Sequence, residues 1–160
     1  GIGKPDPKAI DAAKEMAAET RSRREAEGRP ELAPAAGTPE YDVYQQWLHY
    51  AEGSAMLPLM LFMYVGRLGE AGAPLHPRIE SEISNHLGYV EGALAGRDYL
   101  MGSELSAADI QMSFVGEVVG AFGRYAAYPN IAAWVKRFQA RPGYRTALDK
   151  GGPYNMGPKD

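Results

Sequence analysis

The three histidines are the first side chains that suggest chemistry, because imidazole can bind a metal ion or carry a proton. His49 and Glu52 are three residues apart, which places two ligand-type side chains on one turn of a helix. His76 and His86 lie far from this pair along the chain, and the sequence contains no cysteine. The pattern therefore favours structural or surface histidines, and we predict neither a metal site nor a cofactor.

Two serines also lie in patterns that could be taken for catalysis. Ser54 has no basic side chain beside it in the sequence that could take up its proton, so nothing indicates an activated nucleophile. Ser106 precedes Asp109 by three residues, and a run of apolar residues follows. In this capping box the serine and the acidic residue each satisfy a backbone N–H at the start of a helix. Asp109 is therefore interpreted as a structural cap, and no catalytic residue is predicted.

Composition limits the classes of function that are open. The chain has 160 residues, of which 45% are apolar and 23% charged, as in one globular domain. A net charge of −3 gives no electrostatic basis for binding nucleic acid or an anionic membrane. The longest apolar run, Ala55–Val65, is shorter than the roughly 20 residues that a membrane-spanning helix needs. With no cysteine and no visible signal peptide, we expect a soluble, cytoplasmic protein.

The elements that would position these residues are all helical. The periodicity predicts about five helices and no strand, an all-α bundle around one buried central helix. The central helix is the one that follows Ser106, because only Asp109 and Glu117 are charged between Ala107 and Gly123. A preceding helix, opened by Pro77, has apolar residues on one face, and the following helix begins at Tyr128-Pro129 and ends at Arg141-Pro142. A short helical turn, Tyr144–Leu148, then follows.

A long helix capped by Thr38 contains a proline. Pro58 lacks a backbone N–H and its ring collides with the carbonyl group of Ser54, so we expect a kink near Gly53 and Ser54. The helix should resume beyond the proline and stop near Gly66–Gly69.

Five motifs between Leu32 and Tyr154 follow one another in a specific order. They are Leu-Ala-Pro-Ala-Ala-Gly-Thr-Pro-Glu-Tyr, Gln-Trp-Leu-His-Tyr-Ala-Glu-Gly-Ser, Tyr-Leu-Met-Gly, Ser-Ala-Ala-Asp-Ile and Pro-Asn-Ile-Ala-Ala-Trp. In this order and spacing the segment resembles the C-terminal helical domain of the soluble glutathione transferases, and it looks closest to bacterial members. The resemblance implies a thioredoxin-like domain before the helices, which in that family supplies the catalytic Ser, Tyr or Cys and holds glutathione. Residues 1–31 resemble no such domain, so we expect the glutathione site to be missing.

The resemblance also implies candidate site residues. In the family the pocket for the hydrophobic substrate takes residues from the kinked helix. By position relative to Pro58, Tyr50, Gly53, Ser54 and Leu57 would form the remnant of that pocket. The alternative is that Tyr50 and Leu57 pack in the bundle, while Gly53 and Ser54 only permit the kink.

The chain therefore divides into an N-terminal helix and linker, residues 1–31, and a helical domain, residues 32–160. The N-terminal helix, predicted over Pro7–Glu27, consists mainly of strong helix formers and has no aromatic residue, as in engineered sequences. An engineered or grafted segment and a natural truncation both stay open. We expect this helix to dock on the face that a thioredoxin-like domain would have covered.

Three functions follow from this organisation. The leading interpretation is a helical domain without catalytic activity of its own. The second is a transferase fragment that is active only with a separate thioredoxin-like domain. The third is an interaction module that uses the vacated face for a protein partner or for self-association.

Overall fold

The computed structural model describes residues 7–26, 32–152 and 154–157. Within these ranges the chain forms helices and turns, with one isolated antiparallel bridge between Tyr99 and Gly102. The predicted all-α class is confirmed. The helices are α1 (Pro7–Ala26), α2 (Pro39–Tyr50), α3 (Met56–Gly66), α4 (His76–Ala93), α5 (Ala107–Ala121), α6 (Pro129–Gln139) and α7 (Pro142–Gly151).

Helices α2 and α3 are two parts of the predicted long helix. Thr38 caps α2, and its side-chain oxygen accepts a hydrogen bond from the N–H of Tyr41 at 3.3 Å. A π-helical segment, Ala51–Ala55, separates α2 from α3, and Pro58 lies in the first turn of α3. Regular α-helical geometry is therefore lost at Gly53 and Ser54, where proline removes a hydrogen bond to the preceding turn. The end of α3 at Gly66 is also as predicted.

The core lies around α5, as predicted. Its buried face, which includes Met112, Val115 and Val119, packs mainly against α2 and α6. The one-faced pattern predicted for α4 is confirmed by the burial of Ile79, Ile83, Leu87 and Val90.

One expectation about α5 is only partly correct. The helix is central, but Ile110 and Phe114 are 53% and 42% exposed. A helix with few charges can be buried on every side, but each side is buried only where another element packs against it. Helix α5 therefore leaves one apolar strip uncovered.

The C-terminal part is more helical than predicted. Helix α7 has 10 residues where a short turn, Tyr144–Leu148, was expected. Pro142 at its N-terminus, after Arg141 in an extended conformation, starts a new helix.

Helix α1 has its predicted extent as far as Ala26; Glu27 and the linker residues 28–31 lie outside the described part of the chain. Each of its described side chains is exposed, and Met16 is 65% accessible. Met16 and the residues at positions 9, 10, 13 and 17 are the ones that could form an apolar stripe along this helix, and the side chains at the latter four positions lie outside the described set. Docking of α1 on the bundle and the division into residues 1–31 and 32–160 therefore stay predictions. Of the helices described here, none is both long and apolar enough to cross a membrane.

Candidate functional site

Tyr50 lies in an aromatic cluster between α2 and α4. Its ring contacts Trp47 and Tyr89 at centroid distances of 5.6 and 5.2 Å. Its hydroxyl group lies 2.7 Å from Nδ1 of His86, and Nε2 of that histidine is 3.6 Å from Glu82. Burial raises the pKa of Tyr50 to about 12, and the neighbouring Tyr89 contributes to the shift. The phenol therefore keeps its proton at neutral pH.

The other three residues of the predicted pocket lie in or just after the π-helical segment. Gly53 is exposed, Ser54 is half-buried and Leu57 is 55% exposed. The alternative that Leu57 packs in the bundle is therefore wrong, because its side chain points away from the core. None of these residues lines the cavities described below. A substrate pocket built from Tyr50, Gly53, Ser54 and Leu57 stays a prediction.

The histidines are dispersed over the helices. His49 is exposed on α2, His76 begins α4 and His86 contacts Tyr50. Among the residues that the structure describes, no three histidine or acidic side chains form a group that could hold a metal ion.

Asp109 is a buried carboxylate that accepts four hydrogen bonds. Its Oδ2 accepts from the N–H of Ser106 at 2.9 Å and from the hydroxyl group of Ser106 at 2.8 Å, and the capping box is present. Its Oδ1 accepts from the N–H of Leu100 at 2.8 Å and from the indole Nε1–H of Trp134 at 3.0 Å. With 1% exposure and both oxygens occupied, Asp109 has no free position for a substrate proton. Its geometry is that of a structural junction.

The largest described cavity lies between α5 and α7. Its volume is about 720 Å³, within the range of small-molecule sites and of grooves that receive a partner's side chains. The sequence does not predict this cavity, because the pattern after Pro142 indicates only a short helical turn where α7 lies. Its apolar walls are formed mainly by Leu105, Ile110, Phe114, Phe138 and Leu148.

Glu117 is a buried carboxylate in the wall of this cavity. It is 3% exposed and accepts hydrogen bonds from Nε2 of Gln139 at 2.9 Å and from the hydroxyl groups of Tyr144 and Tyr154. Burial, reinforced by the hydrogen bond to Glu117, raises the pKa of Tyr144 to about 12. Burial also raises the pKa of Tyr125 to about 12, with the charge of Glu117 as the second cause. In the sequence, the feature that could have indicated this cluster is a glutamate in the middle of a mostly apolar helix.

A second cavity lies on the other side of Phe114. It has a volume of about 220 Å³, and Met60, Tyr64, Phe122 and Met156 are among its walls. Because Phe114 lines both cavities, they are neighbours along α5. We call the surface formed by Ile110, Phe114 and the walls of the two cavities the α5 face.

Residues 54–142 match the family model described as the glutathione S-transferase C-terminal domain. Glutathione S-transferase 1 of Saccharomyces cerevisiae is 30% identical over an alignment of 128 positions, which covers 68% of this chain and 54% of that protein. The chain spans about half the length of the curated relatives it matches.

Solved structures have the same arrangement of helices. A glutathione S-transferase from Actinobacillus pleuropneumoniae is similar at a TM-score of 0.66 and 23% identity, over 78% of this chain and 60% of that one. BphK, a bacterial glutathione transferase solved as a ternary complex, is similar at a TM-score of 0.62 and 25% identity, over 96% of this chain and 70% of that one. The similarity to glutathione transferases therefore holds for the fold as well as for the sequence.

Proposed function

Because the chain belongs to the glutathione S-transferase C-terminal domain family, we propose that its helical domain has no catalytic activity of its own and forms the helical part of a transferase. A thioredoxin-like domain would bind glutathione and dock on the α5 face. A cytoplasmic location belongs to the same proposal, since a chain without cysteine needs no oxidising compartment for disulfide formation.

This proposal is supported mainly by the protonation and the hydrogen bonding of the buried acidic and phenolic groups. A side chain that activates a thiol must accept its proton or stabilise the thiolate, and such groups usually have their pKa shifted toward that task. Burial raises the pKa of Tyr50 and Tyr144 to about 12, so neither phenol can accept the proton of a thiol at neutral pH, and their hydroxyl groups already contact His86 and Glu117. The carboxylates of Asp109 and Glu117 already accept hydrogen bonds from protein donors. These groups are suited to structural roles.

The α5 face supports the docking part of the proposal. Ile110 and Phe114 expose 53% and 42% of their surface beside two apolar cavities, whereas the rest of α5 is largely buried. Contiguous apolar surface of this kind is typical of an interface. Leu57, Tyr50, Gly53 and Ser54 would then contribute to the hydrophobic-substrate pocket only once the second domain stands beside α3.

A transferase assay tests the absence of activity. The purified chain would be mixed with reduced glutathione and chlorodinitrobenzene, with a two-domain bacterial transferase as the positive control. We expect a rate equal to that of the uncatalysed reaction and no heat of glutathione binding by calorimetry. A rate above that background, proportional to protein concentration, would refute the proposal.

A second candidate function, an interaction module, is favoured by the exposure of Phe114. In this case the α5 face binds another protein or a second copy of the chain, and light scattering of the purified protein should detect dimers or larger species. Phe114→Asp is expected to restore the monomer, because a carboxylate in an apolar contact must be desolvated. Val43→Asp is the matched control, since Val43 is 44% exposed on α2, away from the cavities. A monomeric wild-type protein would eliminate self-association.

A further inference from the structure

The chain turns back onto the bundle directly after α7. Gly152 adopts a φ of +79°, which residues with a side chain rarely adopt, and its N–H donates to the carbonyl oxygen of Leu148 at 2.8 Å. Beyond this turn Tyr154 lines the larger cavity and Met156 lines the smaller one. We call residues 154–157 the tail strap. It brings one side chain to each cavity of the α5 face.

The strap folds tightly on itself at its far end. The N–H of Gly157 donates to the carbonyl oxygen of Tyr154 at 3.1 Å, and a Cβ atom at Gly157 would lie 3.0 Å from the ring of Tyr154. The two side chains that reach the bundle are thus held in one compact turn.

One side-chain hydrogen bond holds the strap to α5. The hydroxyl group of Tyr154 donates to the carboxylate of Glu117, while 40% of the tyrosine side chain stays exposed. Burial, followed by the bond to Glu117, raises the pKa of Tyr154, so the phenol is a donor throughout the neutral range. The contact is therefore specific, but it covers only part of the ring.

Glu117 has two further donors besides the strap. Gln139 on α6 and Tyr144 on α7 both donate to its Oε1, whereas Tyr154 donates to Oε2. When Tyr154 leaves, the two hydrogen bonds to Oε1 remain, and Oε2 must be satisfied by water that enters where the strap has opened. Departure of the strap therefore carries a small penalty compared with breaking a buried pair outright.

We propose that the tail strap is a displaceable cover of the two cavities of the α5 face, which a docking domain must push aside to enter them, while Ile110 and Phe114 stay partly exposed beside it. The competition between strap and docked domain rests on the proposed function, whereas the covering of the cavities by the strap does not. The strap thus sets how readily the helical domain accepts its partner.

Two variants weaken the strap without changing any residue on α3, α5 or α7. Tyr154→Phe keeps the ring in the wall of the larger cavity and removes the hydroxyl group, and Met156→Ala removes the side chain that the strap places in the wall of the smaller cavity. Tyr89→Phe is the matched control, because Tyr89 is 45% exposed and its hydroxyl group accepts from Gln46 at 2.7 Å on α2, away from the cavities. Circular dichroism would verify that all variants fold.

The first readout is binding of the neutral apolar dye phenylnaphthylamine, measured by fluorescence titration. We expect Tyr154→Phe and Met156→Ala to bind the dye about three- to tenfold more tightly than wild type, which is the range of one hydrogen bond of ordinary net strength. Tyr89→Phe should behave as wild type. Equal dye affinity in wild type and both strap variants would refute the proposal.

The second readout is binding of a separately produced thioredoxin-like domain of a bacterial glutathione transferase, measured by calorimetry. Tighter binding to Tyr154→Phe than to wild type supports competition. The thioredoxin-like domain could bind none of the proteins while the strap variants still bind the dye more tightly than wild type. That result would refute the proposed docking function and support the covering of the cavities by the strap. If the domain instead binds wild type and all variants equally and the dye affinity does not change, the covering is refuted and the docking function is supported.

Discussion

Trp134 and Asp109 join α6 to the start of α5 through one hydrogen bond, in which the indole Nε1–H donates to Oδ1 at 3.0 Å across 25 residues of sequence. The same carboxylate holds Ser106 at the beginning of α5 and the backbone N–H of Leu100 in the preceding loop. Asp109 therefore connects a helix start, a loop and a neighbouring helix at one buried point.

Asp109→Asn should destabilise the fold strongly. The amide can still accept from Trp134, but its NH₂ group then faces the N–H of Ser106, and one buried donor is left without an acceptor. We expect a loss of about 2–3 kcal/mol in the free energy of unfolding, measured in urea. Asp98→Asn is the control, because Asp98 is 57% exposed and its pair with Arg137 should contribute less than about 1 kcal/mol. Equal losses in the two variants would contradict the structural role of Asp109.

The part of this junction that involves neighbours in sequence could be predicted. A capping box, the Thr38 cap and the disturbance upstream of Pro58 depend on residues within about four positions of each other, so their spacing is enough. The bonds from Leu100 and Trp134 to Asp109 depend on packing of separate elements. Nothing in the local pattern distinguishes an aspartate with these extra donors from one that only caps a helix.

The α5 face and the Glu117 cluster were missed for a related reason. Hydrophobicity predicts that Ile110 and Phe114 can be buried, but whether they are buried depends on which elements pack beside them. The donors to Glu117 come from α6, α7 and the tail strap, which only the fold brings together. The local spacing of residues therefore cannot predict candidate sites that are formed by segments far apart in the sequence.

Gly116→Ala should destabilise the contact between α5 and α6. A Cβ atom at this position would lie 2.7 Å from the ring of Trp134 and 2.7 Å from Val135, both of which are buried. Overpacking of this kind costs about 1–3 kcal/mol, more than the helix propensity that alanine adds. Gly88→Ala is the matched control, since Gly88 lies in α4 with open space around it and should gain about 0.5–1 kcal/mol. Urea midpoints that shift in the same direction for both variants would argue against close packing at Gly116.

Arg124→Lys should weaken the link between α4 and the end of α5. The guanidinium group forms two hydrogen bonds with Glu80, at 2.7 and 2.9 Å, and lies 4.9 Å from the centroid of the Phe62 ring. Lysine cannot reproduce the paired geometry, so we expect a loss of about 1 kcal/mol at neutral pH. Arg78→Lys, at a side chain that is 78% exposed, should change the stability much less.

The pH dependence of the Arg124 effect is a second check. The hydrogen bond from Arg124 lowers the pKa of Glu80, so the stabilisation is present above the ordinary glutamate pKa and is lost as pH falls through the lowered value. The difference between wild type and Arg124→Lys should therefore shrink in acid. A difference that stays constant down to pH values below the carboxylate range would show that packing on Phe62, rather than the ion pair, carries the effect.

Alkaline pH should unfold the protein through its buried phenols. Burial, with Glu117 as a further cause, raises the pKa of Tyr125 and Tyr144 to about 12, whereas tyrosine in an unfolded chain titrates near 10. Between these values the unfolded chain has released protons that the folded protein still holds, so stability is full below pH of about 10 and falls toward about 12. Urea unfolding at a series of alkaline pH values, followed by tyrosinate absorbance, measures this slope. Tyr144→Phe should have a shallower slope than wild type, because one of the retained protons is gone. If both proteins lose stability at the same rate, the alkaline transition must come from other groups, and the phenols around Glu117 would not be its cause.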